Sequence, residues 1–494
     1  MRRLHSFPGG IHPPEHKEQS TRLPIAAAPL PPKLVVPMQQ HAGAAARPLV
    51  APGERVLKGQ VIGAPEPGVS APVHAPTSGI VVALELQPAP HPSGLMALCA
   101  VIEPDGEERW GGRAALDPFH APGDELLRRL HEAGIVGLGG AVFPSAIKAR
   151  VNGRRIATLV VNGGECEPYI SCDDMLMRER APEIVRGIEI LYRLTGAAEV
   201  VVGIEDNKPE ALAAMRAAAR GSRAPVEVAG VPALYPAGGE RQLIKVVTGQ
   251  EVPSGGLPLD IGVVCFNVAT AYCVQRAVEL GEPLVSRVIT VTGNVHAPRN
   301  YECLLGTPVA DLAELAGPGA DTDGYIMGGP LMGFRLPSPR VPVVKASNCI
   351  IATSPALFPP PPPAMPCIRC GRCAEVCPAR LQPMDLYWFA KARNFERAEE
   401  FSLFDCIECG CCDFVCPSHI PLVEYYKFAK GEIRTLKRER QAADTARDRH
   451  EFRLFRQERE KQERAARLAT RSPKAAHAEG APRATAETAS GGEE

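Results

Sequence analysis

Cys367-Ile368-Arg369-Cys370-Gly371-Arg372-Cys373-Ala374-Glu375-Val376-Cys377-Pro378 and Cys406-Ile407-Glu408-Cys409-Gly410-Cys411-Cys412-Asp413-Phe414-Val415-Cys416-Pro417 share the spacing C-x2-C-x2-C-x3-C-P. Three thiolates separated by two residues wrap a tight loop around one cubane, while the fourth, at a helix start, reaches across to the other. The spacing therefore predicts a small ferredoxin-like domain built around two [4Fe–4S] clusters. One is expected on Cys367, Cys370, Cys373 and Cys416, the other on Cys406, Cys409, Cys412 and Cys377. Structural zinc usually takes paired C-x2-C knuckles, and a triple interval repeated twice with a trailing Cys-Pro is a different pattern. Cys411 would break the repeat and is read as a bystander, while Ile368 and Ile407 are expected to shield the clusters from water.

More than half of the 16 cysteines crowd into this block of a 494-residue chain. That distribution speaks for metal binding in a reducing compartment and against a disulfide framework. Cys99, Cys166, Cys172, Cys265, Cys273, Cys303 and Cys349 are scattered, as buried small hydrophobes are. The formal net charge of −1 offers no basic face, so a nucleic-acid partner is excluded. The N-terminus is basic but leads into no apolar stretch, and no secretory signal is expected. The longest apolar run, residues 261–274, is broken by Asn267 and Thr270 and falls short of the roughly 18–20 residues that cross a bilayer. It belongs in a core, and membrane association must come through partners.

Upstream of the cysteines the chain changes character several times. Residues 34–85 alternate apolar stretches with Gly and Pro turns, and two half-matching segments, 51–63 and 71–81, resemble the barrel-sandwich fold of biotinyl and lipoyl domains. Those domains present a modified lysine between the halves; here no lysine occurs from Gly59 to Ile147, so the segment is a scaffold. From about 122 to 280, apolar strands alternate with helical periodicity: helices are predicted over 124–133, 182–194 and 209–220, strands over 156–162 and 200–204. That alternation predicts a parallel or mixed sheet covered on both faces. Residues 286–335 return to strand and turn and resemble a ubiquitin-like β-grasp module of the SLBB kind. A proline run at 359–363 forms a stiff spacer before the cysteine block. The expected order is an N-terminal segment and barrel-sandwich domain (1–120), an α/β domain (121–283), a β-grasp module (284–338), a linker (339–366), the ferredoxin-like domain (367–430), and a solvated charged helix with a disordered tail (431–494).

Two segments of the α/β region carry chemistry. The run Gly137-Leu138-Gly139-Gly140-Ala141-Val142-Phe143-Pro144, followed by Lys148, lets backbone N–H groups approach a phosphate, but it follows a helix and is not the dinucleotide fingerprint. Asn162-Gly163-Gly164-Glu165-Cys166-Glu167-Pro168 sits at the end of a buried strand, where open α/β sheets bind ligands. Asn162 is placed to bond an isoalloxazine edge, and Glu165 or Glu167 a nicotinamide or ribose hydroxyl. Glu240 follows another glycine turn, and Asn267 ends an apolar run. Taken singly, each is also the kind of turn or satisfied core amide that folds use without a ligand.

Together with Phe7-Pro8-Gly9-Gly10-Ile11-His12-Pro13-Pro14-Glu15-His16-Lys17 and the stretch Tyr235–Gly256, these segments and the paired cysteine motifs resemble the RnfC family of Rnf ion-translocating electron-transport complexes, from residue 7 to about 430. The α/β portion is also similar to the flavin- and NADH-binding subunit of respiratory complex I. That similarity implies FMN near Gly137, Gly139, Gly140, Lys148, Asn162, Glu240 and Asn267, with NADH stacking near Glu165 and Glu167. The chain departs from those patterns at Leu138, where complex I has arginine, at Gly164, where it has aspartate, and at Val142, where Rnf loops commonly have glycine. The resemblance implies a peripheral subunit on the cytoplasmic face of the inner membrane. It would pass electrons between NAD(H), FMN and the clusters, with other complex subunits, and a ferredoxin, as partners. The alternative is a non-enzymatic iron–sulfur adaptor that docks a ferredoxin and has no active nucleotide site.

Overall fold

The computed structural model describes residues 2–471. Met1–Lys427 form one compact unit and Phe428–Glu494 a second. The expected disordered tail, residues 472–494, lies outside the described residues.

After β1 (Ala26–Ala27), the barrel-sandwich consists of β2 (Leu34–Pro37), β3 (Arg47–Pro48), β4 (Arg55–Val56), β5 (Val61–Ala64), β6 (Val73–His74), β7 (Gly79–Pro88) and β8 (Met96–Pro104). They form two sheets, ordered β2-β8-β7-β4 and β3-β5-β6. Leu34, Val36, Val56, Ile62, Val73, Val81 and Ile102 fill the space between them. Each such side chain stabilises the fold by about 1.5–3 kcal/mol on burial.

The α/β domain runs α1 (Gly123–Glu132), α2 (Ser145–Ala149), β9 (Thr158–Gly163), α3 (Cys172–Glu179), α4 (Ala181–Thr195), β10 (Glu199–Glu205), α5 (Pro209–Ala219), β11 (Val226–Val231), α6 (Glu240–Thr248), β12 (Val263–Asn267) and α7 (Val268–Gln275). Its four strands are all parallel, in the order β11-β10-β9-β12. Valine runs make these strands apolar on both faces, as a doubly covered sheet needs. Leu159, Val161, Val200, Val202 and Phe266 pack with α4 and α7, whereas Val160, Val201, Val263 and Cys265 pack with Leu243, Val246 and Val247 of α6. The chain steps outward from β9 to β11 and then returns across the sheet to β12. Right-handed crossovers demand that the return helix, α6, take the opposite face. A Cβ on Gly187 of α4 would sit 1.8 Å from the Ala271 carbonyl oxygen of α7, so only glycine permits this helix contact.

The fourth sheet contains β13 (Ser286–Gly293), β14 (Arg299–Leu304), β15 (Gly324–Met327), β16 (Phe334–Arg335) and β17 (Cys349–Thr353), with α8 (Val309–Glu314) beside it; its order is β1-β14-β13-β17-β15-β16. The span 339–366, expected as a linker, thus contributes a central strand. The reason is local: Cys349-Ile350-Ile351-Ala352-Thr353 is apolar and β-branched, and every one of these residues is buried.

In the cysteine block, α9 (Arg372–Glu375) and α12 (Cys411–Phe414) each open after a glycine with positive φ, Gly371 at 81° and Gly410 at 78°. Helices α10 (Pro383–Lys391) and α11 (Phe395–Glu400) separate the two motifs, and α13 (Leu422–Arg471) follows them. From Arg434 onward α13 exposes nearly all of its described side chains. Ion pairs one turn apart, such as Arg459–Glu463 at 3.5 Å, stitch its surface, each contributing only ~0.3–0.5 kcal/mol.

Candidate cluster and flavin sites

Eight of the motif cysteines line two separate cavities. One is bounded by Cys367, Cys370, Cys373 and Cys416, the other by Cys377, Cys406, Cys409 and Cys412. Each cavity therefore takes three thiols from one motif and the last from the other. Four convergent thiols and an apolar wall fit a cubane cluster by donor chemistry. Cys411 also borders the second cavity and is buried. Ile368 does not shield its cavity as expected: it stays 68% exposed, because the first motif lies at the surface, whereas Ile407 is partly buried among Ile11, Tyr235 and Cys409.

The second assembly lies at the carboxyl end of the parallel sheet. Asn162 is the penultimate residue of β9, Asn267 ends β12, and the two are register partners. The Asn267 side chain caps α7 by accepting from Ala269 N (2.9 Å) and Thr270 N (3.3 Å), and its Nδ2 donates to Asp173 Oδ2 at 2.6 Å. Asn162 Oδ1 accepts from Gly164 N, and its Nδ2 donates to the Gly238 carbonyl, both at 2.9 Å. The glycine loop approaches the same end: a Cβ on Gly139 would lie 3.5 Å from Asn267. Gly137 N donates to Phe143 O, while the N–H groups of exposed Gly139 and Gly140 have no acceptor among the described residues. Lys148 Nζ bonds Glu240 Oε1 at 2.7 Å and lies 5.7 Å from the Phe266 ring centroid, one residue before Asn267. Free glycine amides, a lysine and a strand end with two asparagines suit a phosphate-bearing, planar ligand such as FMN. Val142 holds φ at +45°, a conformation glycine adopts freely and a β-branched residue rarely does.

Glu165 lies beside this group, its carboxylate within 4.8 Å of that of Asp173, the partner of Asn267, whereas Glu167 points away from it. Glu165 Oε1 accepts from Asp173 N at 2.8 Å and Oε2 from Asp174 N at 3.3 Å, an anion at the start of α3. Burial raises its pKa. Glu167 reaches the β-grasp sheet instead, accepting from Leu331 N and Met332 N, and burial pushes its pKa up to about 7. The loop between them is clamped from beneath by Lys17, whose Nζ donates to the carbonyls of Glu165 (2.6 Å), Glu167 (2.8 Å) and Ile170 (2.6 Å). Lys17, Asp173 and Tyr235 carry this geometry, and sequence reasoning assigns none of them a role. For Lys17 the only signal is its place at the end of the Phe7–Lys17 segment that joins the family resemblance.

A flavin-type strand end and two cysteine-lined cavities in one compact unit define an iron–sulfur protein built on a flavin-binding α/β domain. The domain matches agree: a Nuo51 FMN-binding domain over residues 130–276, an RnfC barrel sandwich hybrid domain over 5–107, an SLBB domain over 288–335 and a 4Fe-4S dicluster domain over 366–420. The chain is 50% identical over 460 residues to the C-subunit of the ion-translocating oxidoreductase complex of Pseudomonas aeruginosa, covering 92% of this chain and 59% of that protein. It is 48% identical to the Pectobacterium carotovorum protein of the same name (82% and 54% covered) and 47% identical to that of Yersinia pestis (91% and 73%). The chain belongs to this RnfC family of ion-translocating oxidoreductase complex components. It spans 59% and 54% of the lengths of the Pseudomonas and Pectobacterium relatives.

Proposed function

We propose that this chain is the electron-transfer subunit of a membrane-bound, Rnf-type oxidoreductase complex. It would exchange electrons between NAD(H) and two [4Fe–4S] clusters by way of FMN, with the complex coupling that flow to ion translocation. The observation that carries this reading is the partition of the eight spaced cysteines, four to each of two cavities, within the same compact unit as the sheet end of Asn162 and Asn267. It supports crossed ligation, with Cys377 and Cys416 each serving the other motif's cluster.

FMN, when bound, accepts a hydride and releases electrons singly. The residues of this chain bind and orient. The Gly139 and Gly140 amides and Lys148 would hold the phosphate, with Glu240 keeping the lysine in place. Asn162 and Asn267 would fix the ring edge, and Glu165 and Glu167 would shape the nicotinamide side by holding their loop. Attachment to the cytoplasmic face of the inner membrane would come through other subunits, and a ferredoxin is a candidate partner.

One observation favours the adaptor alternative: both Glu165 and Glu167 already spend their carboxylates on backbone amides. Flavin, iron and NADH-driven reduction measured on one anaerobic preparation decide between them. Cluster reduction by NADH with flavin present supports the electron-input reading; full clusters that NADH never reduces leave the adaptor.

A further inference from the structure

One buried side chain links the ligand end of the sheet to the second cysteine cavity. Tyr235 is 2% exposed, and its hydroxyl donates to the Cys409 carbonyl at 2.6 Å. Its backbone pairs both ways with Ile11, Ile11 N to Tyr235 O at 2.9 Å and Tyr235 N to Ile11 O at 3.0 Å. The next N–H along that segment, Gly10, donates to the carbonyl of Val376 at 2.9 Å, immediately before Cys377. Gly9, at φ +66°, lies so near that a Cβ would stand 2.4 Å from the Val376 oxygen. The Tyr235–Ile11 pair thus holds two walls of a single cavity, those of Cys409 and Cys377. In the other direction, Gly238 is three residues on from Tyr235. It accepts from Asn162 Nδ2 at 2.9 Å and donates to Cys166 Sγ at 3.3 Å. The cavity of Cys367, Cys370, Cys373 and Cys416 has a different setting: Cys370, Arg369 and Ile368 on its rim are exposed.

We propose that Tyr235 is a positioning residue that makes the cluster of Cys377, Cys406, Cys409 and Cys412 the inner, first-reduced centre and tunes its potential. The cluster of Cys367, Cys370, Cys373 and Cys416 is then the outer centre, from which electrons leave the chain. This rests on the proposed function. Each transfer moves one electron: the inner cluster is oxidised as the outer is reduced, and no bond or proton moves between them. The tyrosine O–H draws charge from the Cys409 carbonyl, which makes an extra electron on the adjoining cluster easier to hold. Deleting that hydroxyl lowers the potential of this cluster alone.

The test is a dithionite titration of the full chain with redox mediators, followed by electron paramagnetic resonance, comparing the unaltered protein with Tyr235→Phe. Cys370→Ala assigns the signals, because it removes the outer cluster. Tyr235→Phe should keep the iron content and lower one midpoint, that of the signal surviving in Cys370→Ala. An unmoved pair of midpoints, or a shift in the other signal, overturns the proposal. Should Tyr235→Phe lose iron, rapid mixing with NADH decides the order in the cysteine variants. Cys370→Ala should still reduce its remaining cluster, while in Cys409→Ala the outer cluster should respond to dithionite but not to NADH. Normal reduction of that outer cluster by NADH overturns the proposal. If NADH reduces neither cluster of the unaltered protein, the proposed function fails, and the dithionite titration still decides the role of Tyr235.

Discussion

The Glu167 carboxylate, on the loop after β9, accepts hydrogen bonds from the backbone of Met332 at 2.5 Å and of Leu331 at 3.3 Å. Those amides belong to the turn between β15 and β16, so this partly buried acid ties the α/β domain to the β-grasp sheet. Gly329 in the same turn has no room for a side chain, since a Cβ there would lie 2.5 Å from the Glu167 carboxylate.

The desolvation of this carboxylate, which the two backbone bonds only partly offset, makes stability depend on pH. Burial raises the Glu167 pKa from 4.5 to about 7. Between those values the folded chain keeps a proton that the unfolded chain has released, so stability falls as pH rises through the window. The full effect of this one group is on the order of 3 kcal/mol. Glu167→Gln stays neutral and can still accept from Met332 N. Thermal unfolding at several pH values should show the wild type losing stability between pH 5 and 7 relative to the variant. Parallel profiles would mean that the backbone amides already hold the carboxylate ionised.

Cluster content follows from crossed ligation. Anaerobically isolated protein should carry about eight iron and about eight acid-labile sulfide. Cys377→Ala should remove the cluster of Cys406, Cys409 and Cys412 and leave about four iron in the other. Loss confined to the cluster of Cys367, Cys370 and Cys373 would mean that each motif ligates its own cubane.

The cysteine cavities were legible in the sequence because the ligand spacing is local: neighbours two residues apart determine a loop whatever surrounds it. Strands β9 and β10 were equally legible, since valine-rich runs can hardly serve anywhere but inside a doubly covered sheet, whereas the run that holds β12 read only as core. The clamp of Lys17 was not legible. Its acceptors lie 148, 150 and 153 residues away, and nothing local distinguishes it from a surface lysine. Helix α6 was hidden behind the glycine turn that precedes it, and β17 behind the proline run that follows. Glu165 and Glu167 look like ligand groups from their place at a strand end; their hydrogen bonds to α3 and to the β-grasp turn depend on long-range packing.

The glycine loop separates a folding effect from a binding effect. A Cβ on Gly139 would meet Asn267 at 3.5 Å, an ordinary contact, so Gly139→Ala should fold and keep its iron. On the proposed reading it should nonetheless bind FMN more weakly, because the methyl group crowds the exposed amides. Lys148→Met removes a charge-assisted hydrogen bond to the phosphate, about 1.5–3 kcal/mol, or roughly 10- to 150-fold in affinity. Fluorescence titration of the deflavinated protein with FMN measures both. Unchanged affinity in both variants would move the flavin away from this end of the sheet.

The last prediction concerns attachment. No helix among the described residues is long and apolar enough to cross a membrane. Beyond Arg434, α13 is lined with both signs of charge, among them Arg456 with Glu460 and Lys461 with Glu458. A face of mixed sign is solvated and has little attraction for an anionic lipid surface, which favours continuous Lys and Arg. If the chain works within a membrane complex, as proposed, other subunits must hold it through protein contacts. Carbonate or chaotrope breaks such contacts but leaves integral segments in the bilayer. Washing membranes with either should therefore release the chain without detergent, and cells lacking the partner subunits should keep it in the soluble fraction. A chain that still requires detergent in those cells would have its own membrane anchor, and attachment through partners would be wrong.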